Sequence, residues 1–384
     1  MIATIRAAWS PGEVRVAATD GDILLDYALW RPGAPDGLGD IHRGRVIAAV
    51  PAMAGAFVAL ADAEGFLPDS EGAKGLTAGT ILTVRVTRAA QGGKGPRLST
   101  RDAGPMGEAT GGPMEGPVRL CRRGVDPLRE LAARYPAAPI LVDDPALAAS
   151  LRPDLGERVR CVPRAFDDAA EVAVDGIAAP EVILDSGVRI AVHPTPALVA
   201  IDVDGGGALA GRDGAAQRHR ALNEAVTPEL ARQIRLRNLS GAILVDFAGL
   251  RAKRRAALAP GLVAALASDP AQPRFLGFTA LGLAEIVRPR ARAPLHELLS
   301  GPLASGLAAL REMARSVAAA PGRRPSLRAH PAVAAALEAD PVALADLARI
   351  AGQALSLRSD PSLPAEGWRI ETPHGQGSSP LPHL

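Results

Sequence analysis

The sequence is poor in cysteine, lysine and aromatic residues, and each shortage narrows what the chain can be. Its 384 residues include two cysteines, Cys121 and Cys161, far apart and in no CxxC pair. That excludes a zinc knuckle or disulfide framework visible in sequence and fits a reducing compartment. Aromatics make up 3% of the chain, and the only lysines are Lys74, Lys94 and Lys253, so positive charge is carried by arginine. A bias of that kind fits a GC-rich genome and says little about function. No window approaches the roughly 18 uninterrupted apolar residues of a membrane span, and the first residues lack the apolar run of a secretory signal. The expectation is a soluble, cytoplasmic chain with no membrane insertion. What is present is ample apolar material, 48%, with 22% charged residues. That suffices for two to three domains with proper cores. The net charge of +2 neither requires nor excludes a polyanionic partner.

Along the chain, "EVRVAATDGDILLDYAL" (13–29) reads as a hairpin around Asp20-Gly21. Residues 39–100 hold the short alternating runs "GRVIAAV", "AGAFVAL", "EGFLP" and "TILTVRVTRA", a spacing that predicts a small barrel such as an OB-fold. The Gly/Pro stretch 101–117 reads as a linker. From 118 onward strands and helices alternate, predicting an α/β multidomain fold. The expected elements there include strands over 184–192, 197–203 and 241–247 and a helix over about 223–236. Residues 301–372 read as a small helical domain and 373–384 as a disordered tail.

The chemistry lies in two apolar runs that end in acids. "ALVAIDVDGGG" (197–207) carries Asp202 and Asp204 two apart, hence on one strand face, and "GAILVDFAGL" (241–250) carries Asp246. Two readings stand at this point. The aspartates start turns by bonding their own backbone, or Asp202 and Asp246 lie on adjacent strands and share one hard cation such as Mg²⁺. On the second reading Asp204 is a third ligand or holds a water. Basic residues surround these runs: Arg232, Arg235 and Arg237 precede the second, and "RAKRR" (251–255) follows it. Arginines beside an acidic metal site suit a phosphate-backbone substrate, while a solvated helix face is the plainer alternative. In the barrel, Phe57, Phe66 and Lys94 are either core and loop residues or a stacking platform beside a cation for single-stranded nucleic acid.

Together "GDIHRGRVIAAVPAMAGAFVAL" with "GFLP", "GGKGPRLST", "AIDVDGG", "ELARQIRLRNLSGAILVDF" and "GFTALGLAEIVRPR" resemble the ribonuclease E/G family of bacterial endoribonucleases, in the family's order over most of residues 1–300. The resemblance implies an Mg²⁺-dependent hydrolase that cuts single-stranded RNA internally and leaves 5′-phosphate and 3′-hydroxyl ends, in RNA processing or decay. It implies that Asp202 and Asp246 are the metal ligands and that Phe57, Phe66 and Lys94 contact RNA. The implied architecture is a ribonuclease-H-like subdomain in two parts, 1–38 and 118–182, interrupted by an S1-type OB-fold barrel over 39–100. A deoxyribonuclease-I-like catalytic subdomain over 183–300 and the small helical domain follow.

The chain departs from the family at four places. Asp204 stands where the family usually has Asn, and Gly249 where it often has an acid. The 101–117 gap is too short for the family's 5′-monophosphate sensor, so no 5′-end sensing is expected. The zinc-binding Cys-Pro-x-Cys is replaced by "HELLSGPLASG" (296–306), so no zinc is expected and a homodimer would need packed surfaces. The alternatives are a catalytically decayed RNA-binding protein of the same fold and a nuclease acting on DNA. His193 and His219 flank the acidic strand and receive no role.

Overall fold

A computed structural model of the chain describes residues 3–103, 116–206, 215–249, 252–320 and 325–371. It divides into two units: Met1–Ala34, Pro127–Pro289 and Pro294–Leu384 form one, and Pro35–Asp126 with Arg290–Ala293 the other. Most of the expected linker, residues 207–214 and the tail beyond 371 lie outside the described residues.

The chain begins with an antiparallel meander of β1 (Thr4–Ser10), β2 (Glu13–Asp20) and β3 (Ile23–Trp30), which contains the hairpin expected around Asp20-Gly21. It then leaves for the second unit. There β4 (Ile41–Val50), β5 (Gly55–Ala59), β6 (Glu64–Pro68), β7 (Ile81–Arg88) and β8 (Arg97–Ser99) run β5-β6-β8-β7-β4, and β5 pairs back with β4. This closed five-stranded barrel matches an OB-fold; its alternating inward residues Val46, Val58, Leu67, Val84 and Leu98 form a sealed core. β9 (Arg119–Arg122) pairs with β4, so the barrel unit runs on to Asp126 instead of stopping near 100. Asp40 fastens the two ends of this excursion, accepting from Arg123 Nη1 at 2.6 Å and from the Gly124 backbone N–H at 2.7 Å. On the brief return, Ala89 donates its N–H to the Ala291 carbonyl at 2.8 Å.

Back in the first unit come α1 (Pro127–Arg134), β10 (Ile140–Val142), α2 (Pro145–Leu155), β11 (Val159–Cys161) and α3 (Asp168–Ala178). β10 and β11 join parallel to β1, giving a mixed sheet in the order β3-β2-β1-β10-β11. One face packs Ile5, Val14, Val16 and Ile140 against Leu128 and Leu151. The other face packs against α3, where Arg15 donates to both oxygens of Glu171, at 2.6 and 2.9 Å, and lies 4.7 Å over the Phe166 ring.

A second sheet follows, built from β12 (Glu181–Ile183), β13 (Arg189–Pro194), β14 (Val199–Asp204), α4 (Ala215–Leu236), β15 (Gly241–Asp246), α5 (Ala252–Arg255), α6 (Ala259–Leu266), β16 (Arg274–Phe278) and β17 (Ala284–Arg288). Its order is β12-β13-β14-β15-β17-β16, and only β14 and β15 are parallel. A parallel pair needs a crossover, and α4 supplies it. The apolar stripe Val226, Leu230 and Ile234 of α4 packs with Leu262 and Leu266 of α6 on Ile201, Val203, Ile243 and Val245. Each of these side chains contributes about 1.5–3 kcal/mol through burial.

The last segment contains α7 (Leu295–Leu298), α8 (Gly301–Ala319), β18 (Ser326–Ala329), α9 (Pro331–Glu338), α10 (Pro341–Ala351), β19 (Ser356–Ser359) and β20 (Trp368–Glu371). The expected helical domain therefore also holds a three-stranded sheet, in the order β19-β18-β20. Its strands "SLRA", "SLRS" and "WRIE" are four residues long, too short to show an alternation between Ala-rich helices. No helix of the described residues is long and apolar enough to cross a membrane.

Candidate active site

Asp202 and Asp246 are direct partners across the parallel β14–β15 ladder. Alternation puts Ile201, Val203 and Val245 into the core, so Asp202, Asp204 and Asp246 all point to the opposite, open face, and all three are exposed. Adjacent strands stand about 4.8 Å apart, which brings the carboxylates of Asp202 and Asp246 within reach of one cation. Because the strands are parallel, both acids emerge at the same edge of the sheet. The hydrogen-bond ladder sets their spacing. Turn formation explains part of Asp204, whose Oδ1 accepts from the Gly206 N–H at 3.1 Å. It does not explain the pairing of the other two.

Two arginines flank the acids. Arg255, at the end of α5, donates through Nη1 to Asp246 Oδ1 at 2.8 Å and to the Gly282 carbonyl at 2.6 Å. Arg189 lies directly across the β13–β14 ladder from Asp204 and bonds both Asp204, at 3.3 Å, and Glu181, at 2.8 Å. The Gly206 N–H and then the Arg189 guanidinium hold the Asp204 carboxyl below the usual carboxylate range. Glu285 of β17 shares the open face, opposite Leu244 of β15.

The loop after β15 is fastened from α4. Asn223, fully buried, donates to the Ala248 carbonyl at 2.9 Å and accepts from the Ala248 N–H at 3.1 Å. One turn earlier on α4, His219 covers Gly249. A Cβ at position 249 would lie 2.0 Å from the imidazole, and the backbone there has φ +58°. Neither Asn223 nor His219 stands out in the sequence as part of the loop's support, since both precede it by a whole helix.

Arg232, Arg235 and Arg237, expected from the sequence to contact RNA, direct their hydrogen bonds to partners within the protein. Arg232 pairs with Glu229 and donates to the Leu24 carbonyl; Arg235 donates to Asp26 and to the Leu25 carbonyl. Asp26 is also bonded by Tyr135 and Arg134, and burial, followed by the hydrogen bond to Asp26, pushes the Tyr135 hydroxyl up to about 12. Arg237 is buried and spends its donors on Gln233 and the carbonyls of Ala179 and Gly176; burial pushes it down to about 10. These guanidiniums fasten α4 to the first sheet and to α3. From the basic run after the strand, Arg255 reaches Asp246.

In the barrel unit, Phe57 and Phe66 are cross-strand partners on β5 and β6, both half-buried, with rings edge to face at a centroid distance of 5.5 Å. Arg97 on β8 is in register beside Phe66. Lys94 is exposed at the end of a tight turn closed by two Gln91–Lys94 backbone bonds of 3.1 Å. Gly92 and Gly93, at φ +57° and +71°, supply the left-handed backbone this turn needs.

Among the described residues no three His, Cys, Asp or Glu side chains group closely enough to hold a metal together. The donor set of Asp202 and Asp246 nevertheless suits a hard cation: two exposed carboxylates, with room for waters and substrate oxygens, are the usual protein share of an Mg²⁺ site. That Asp246 already carries a guanidinium shows that this edge accepts positive charge.

Residues 146–291 match the sequence profile of the Ribonuclease E/G family. Ribonuclease E of Nostoc sp. is 37% identical over 133 residues, which is 33% of this chain and 19% of the relative. Ribonuclease G of Escherichia coli K12 is 32% identical over 127 residues, 31% of this chain and 24% of the relative. Ribonuclease G of Salmonella typhimurium is 29% identical over 203 residues, 47% of this chain and 40% of the relative. The chain thus spans well under half the length of these relatives, and the matched region contains the whole acidic edge. Over residues 146–291, then, the chain is similar to the ribonuclease E/G family.

Proposed function

We propose that this chain is an Mg²⁺-dependent endoribonuclease that cuts single-stranded RNA internally, leaving 5′-phosphate and 3′-hydroxyl ends. The observation that carries the reading is the register pairing of Asp202 with Asp246 at one sheet edge, within the family match. When bound, the ion supplies charge neutralisation for the phosphodiester and acidifies a water for attack. The protein's own part is to hold the two carboxylates at ladder spacing. Arg255 fixes the orientation of Asp246 by bonding one of its oxygens. Asn223 keeps the following loop from moving. Phe57, Phe66 and Lys94 would hold RNA by stacking and charge. The order β3-β2-β1-β10-β11 supports reading the first sheet as ribonuclease-H-like; the barrel is read as S1-type and the second sheet as the deoxyribonuclease-I-like catalytic part by resemblance alone.

The test is cleavage of a fluorescent A/U-rich single-stranded RNA of about a dozen nucleotides, long enough to cover a barrel site. It is run with Mg²⁺ or EDTA and with a 5′-monophosphate or a 5′-hydroxyl. Equal cutting of both RNAs, dependent on Mg²⁺ and lost in Asp246→Asn, is the expected result. A strong preference for the monophosphate would overturn the absence of end sensing. Tight binding without cutting would favour the decayed RNA-binding protein, for which the two missing accessory modules and Asp204 are the motivating departures. Equal cutting of a deoxyribonucleotide version would defeat the assignment to RNA.

A further inference from the structure

At the ends of β14 and β15 the open face presents three aspartates where a two-carboxylate site needs two, and they are not equivalent. Asp246 gives one oxygen to Arg255 and remains half exposed. Asp202, between the others, is exposed and is directly paired with Asp246. Asp204 is engaged at both oxygens, Oδ1 by the Gly206 N–H at 3.1 Å and Oδ2 by Arg189 Nη2 at 3.3 Å. Its direct neighbour across the antiparallel ladder is Arg189, and no acid of β15 pairs with it, because the β14–β15 register ends at Asp202 and Asp246. Nor do three acidic side chains of the described residues come together closely enough to share an ion.

We propose that Arg189 is a positioning residue that withdraws Asp204 from the cation seat, so that Asp202 and Asp246 alone form it. The inference rests on the metal-site reading above and adds to it. The physical argument is one of charge and reach. A third free carboxylate two residues along the same strand face would compete for the ion and would repel the phosphodiester that must approach it. An Asn at position 204 would add no charge. An Asp there does, and Arg189 offsets that charge locally while Glu181 steadies the guanidinium from β12 at 2.8 Å. Arg189 forms a bridge across three strands, β12-β13-β14, and holds Asp204 toward the β13 side, away from β15. The family's Asn position is thus filled here by an acid and a base acting together.

The experiment measures Mn²⁺, a spectroscopic substitute for Mg²⁺, by EPR titration of the full chain, beside RNA cleavage. Asp202→Asn and Asp246→Asn should each lower Mn²⁺ affinity by on the order of tenfold or more. Asp204→Asn should leave it within about twofold of wild type. Arg189→Gln should free Asp204, raising Mn²⁺ affinity several-fold, changing the spectrum of the bound ion, and slowing cleavage. Arg189→Lys, which keeps the charge, should behave as wild type, and Arg189→Gln combined with Asp204→Asn should return both affinity and spectrum to the wild-type values. If Asp204→Asn weakens Mn²⁺ as strongly as Asp202→Asn, Asp204 is a ligand and the proposal is overturned while the metal-site reading stands. If Arg189→Gln changes neither affinity nor spectrum, Arg189 has no positioning role and the proposal is likewise overturned. If the wild-type chain binds no Mn²⁺, the metal-site reading and this inference fall together.

Discussion

The imidazole of His219 fills the space that any side chain at position 249 would need. An added Cβ there would lie 2.0 Å from the ring, in a left-handed backbone that already disfavours other residues. The Gly departure is therefore matched by a residue thirty positions earlier on the crossover helix. Gly249→Ala should destabilise the fold by about 2–4 kcal/mol, the sum of backbone strain and overpacking. His219→Ala combined with Gly249→Ala should recover the overpacking part. Urea denaturation of the four members of this cycle checks the coupling; additive losses would refute the contact.

Arg237 should act as a structural arginine. Its donors go to Gln233 and to the carbonyls of Ala179 and Gly176, in a site where burial pushes its proton affinity down to about 10. Arg237→Ala should cost about 2–4 kcal/mol by leaving those acceptors unpaired. RNA affinity, measured where both proteins are folded, should be unchanged. A large loss of RNA binding with full stability would restore the role expected from the charge run.

Acid should weaken the joint between β2 and α3. Burial alone would raise the Glu171 carboxyl, but the hydrogen bond and charge of Arg15, with Arg315 and Arg311, carry it below its ordinary 4.5. A carboxyl lowered on folding contributes stability that is fully present above the unfolded value and is lost as the pH falls through the folded one. The wild-type chain should therefore exceed Glu171→Gln in stability at neutral pH by about 1–3 kcal/mol. That margin should shrink as the pH falls below 4.5. A margin that stayed constant down to pH 3 would contradict the assignment.

Phe57 and Phe66 test the barrel independently of the acids. If bases stack on this pair, each Phe→Ala change should weaken single-stranded RNA binding by about 1–3 kcal/mol, with Mn²⁺ affinity unaltered. Fluorescence anisotropy and the EPR titration separate the two effects. An unchanged RNA affinity, with the barrel still folded, would return the pair to an ordinary cross-strand packing role.

How much was legible in advance follows from what kind of interaction decides each feature. The barrel strands and the acid-ended β14 and β15 were readable because period-two alternation and terminal carboxylates are local signals. The pairing of Asp202 with Asp246 was only one of two readings until the register joined them. The partners of the arginines before β15 were not legible, since a charge run does not say whether it meets water or buried carbonyls; Arg232, Arg235 and Arg237 bond Glu229, Asp26 and backbone oxygens. Asn223 and His219 were invisible as supports because they act across the helix–strand turn. β9 was assigned to the following unit because its place depends on a partner, β4, nearly eighty residues away.

The Asp40 fastening has a consequence for the barrel as a module. Its carboxylate holds Arg123 and Gly124 beside the start of β4, so the whole excursion from Pro35 to Asp126 enters and leaves through a narrow neck. To the host chain such an insert counts as a short loop: the closure entropy is set by the neck and grows only slowly with what lies beyond it. A transplant of this barrel should therefore be cut outside the Asp40–Gly124 clasp. With the clasp retained, the graft brings its own closure to any host loop wide enough to receive it.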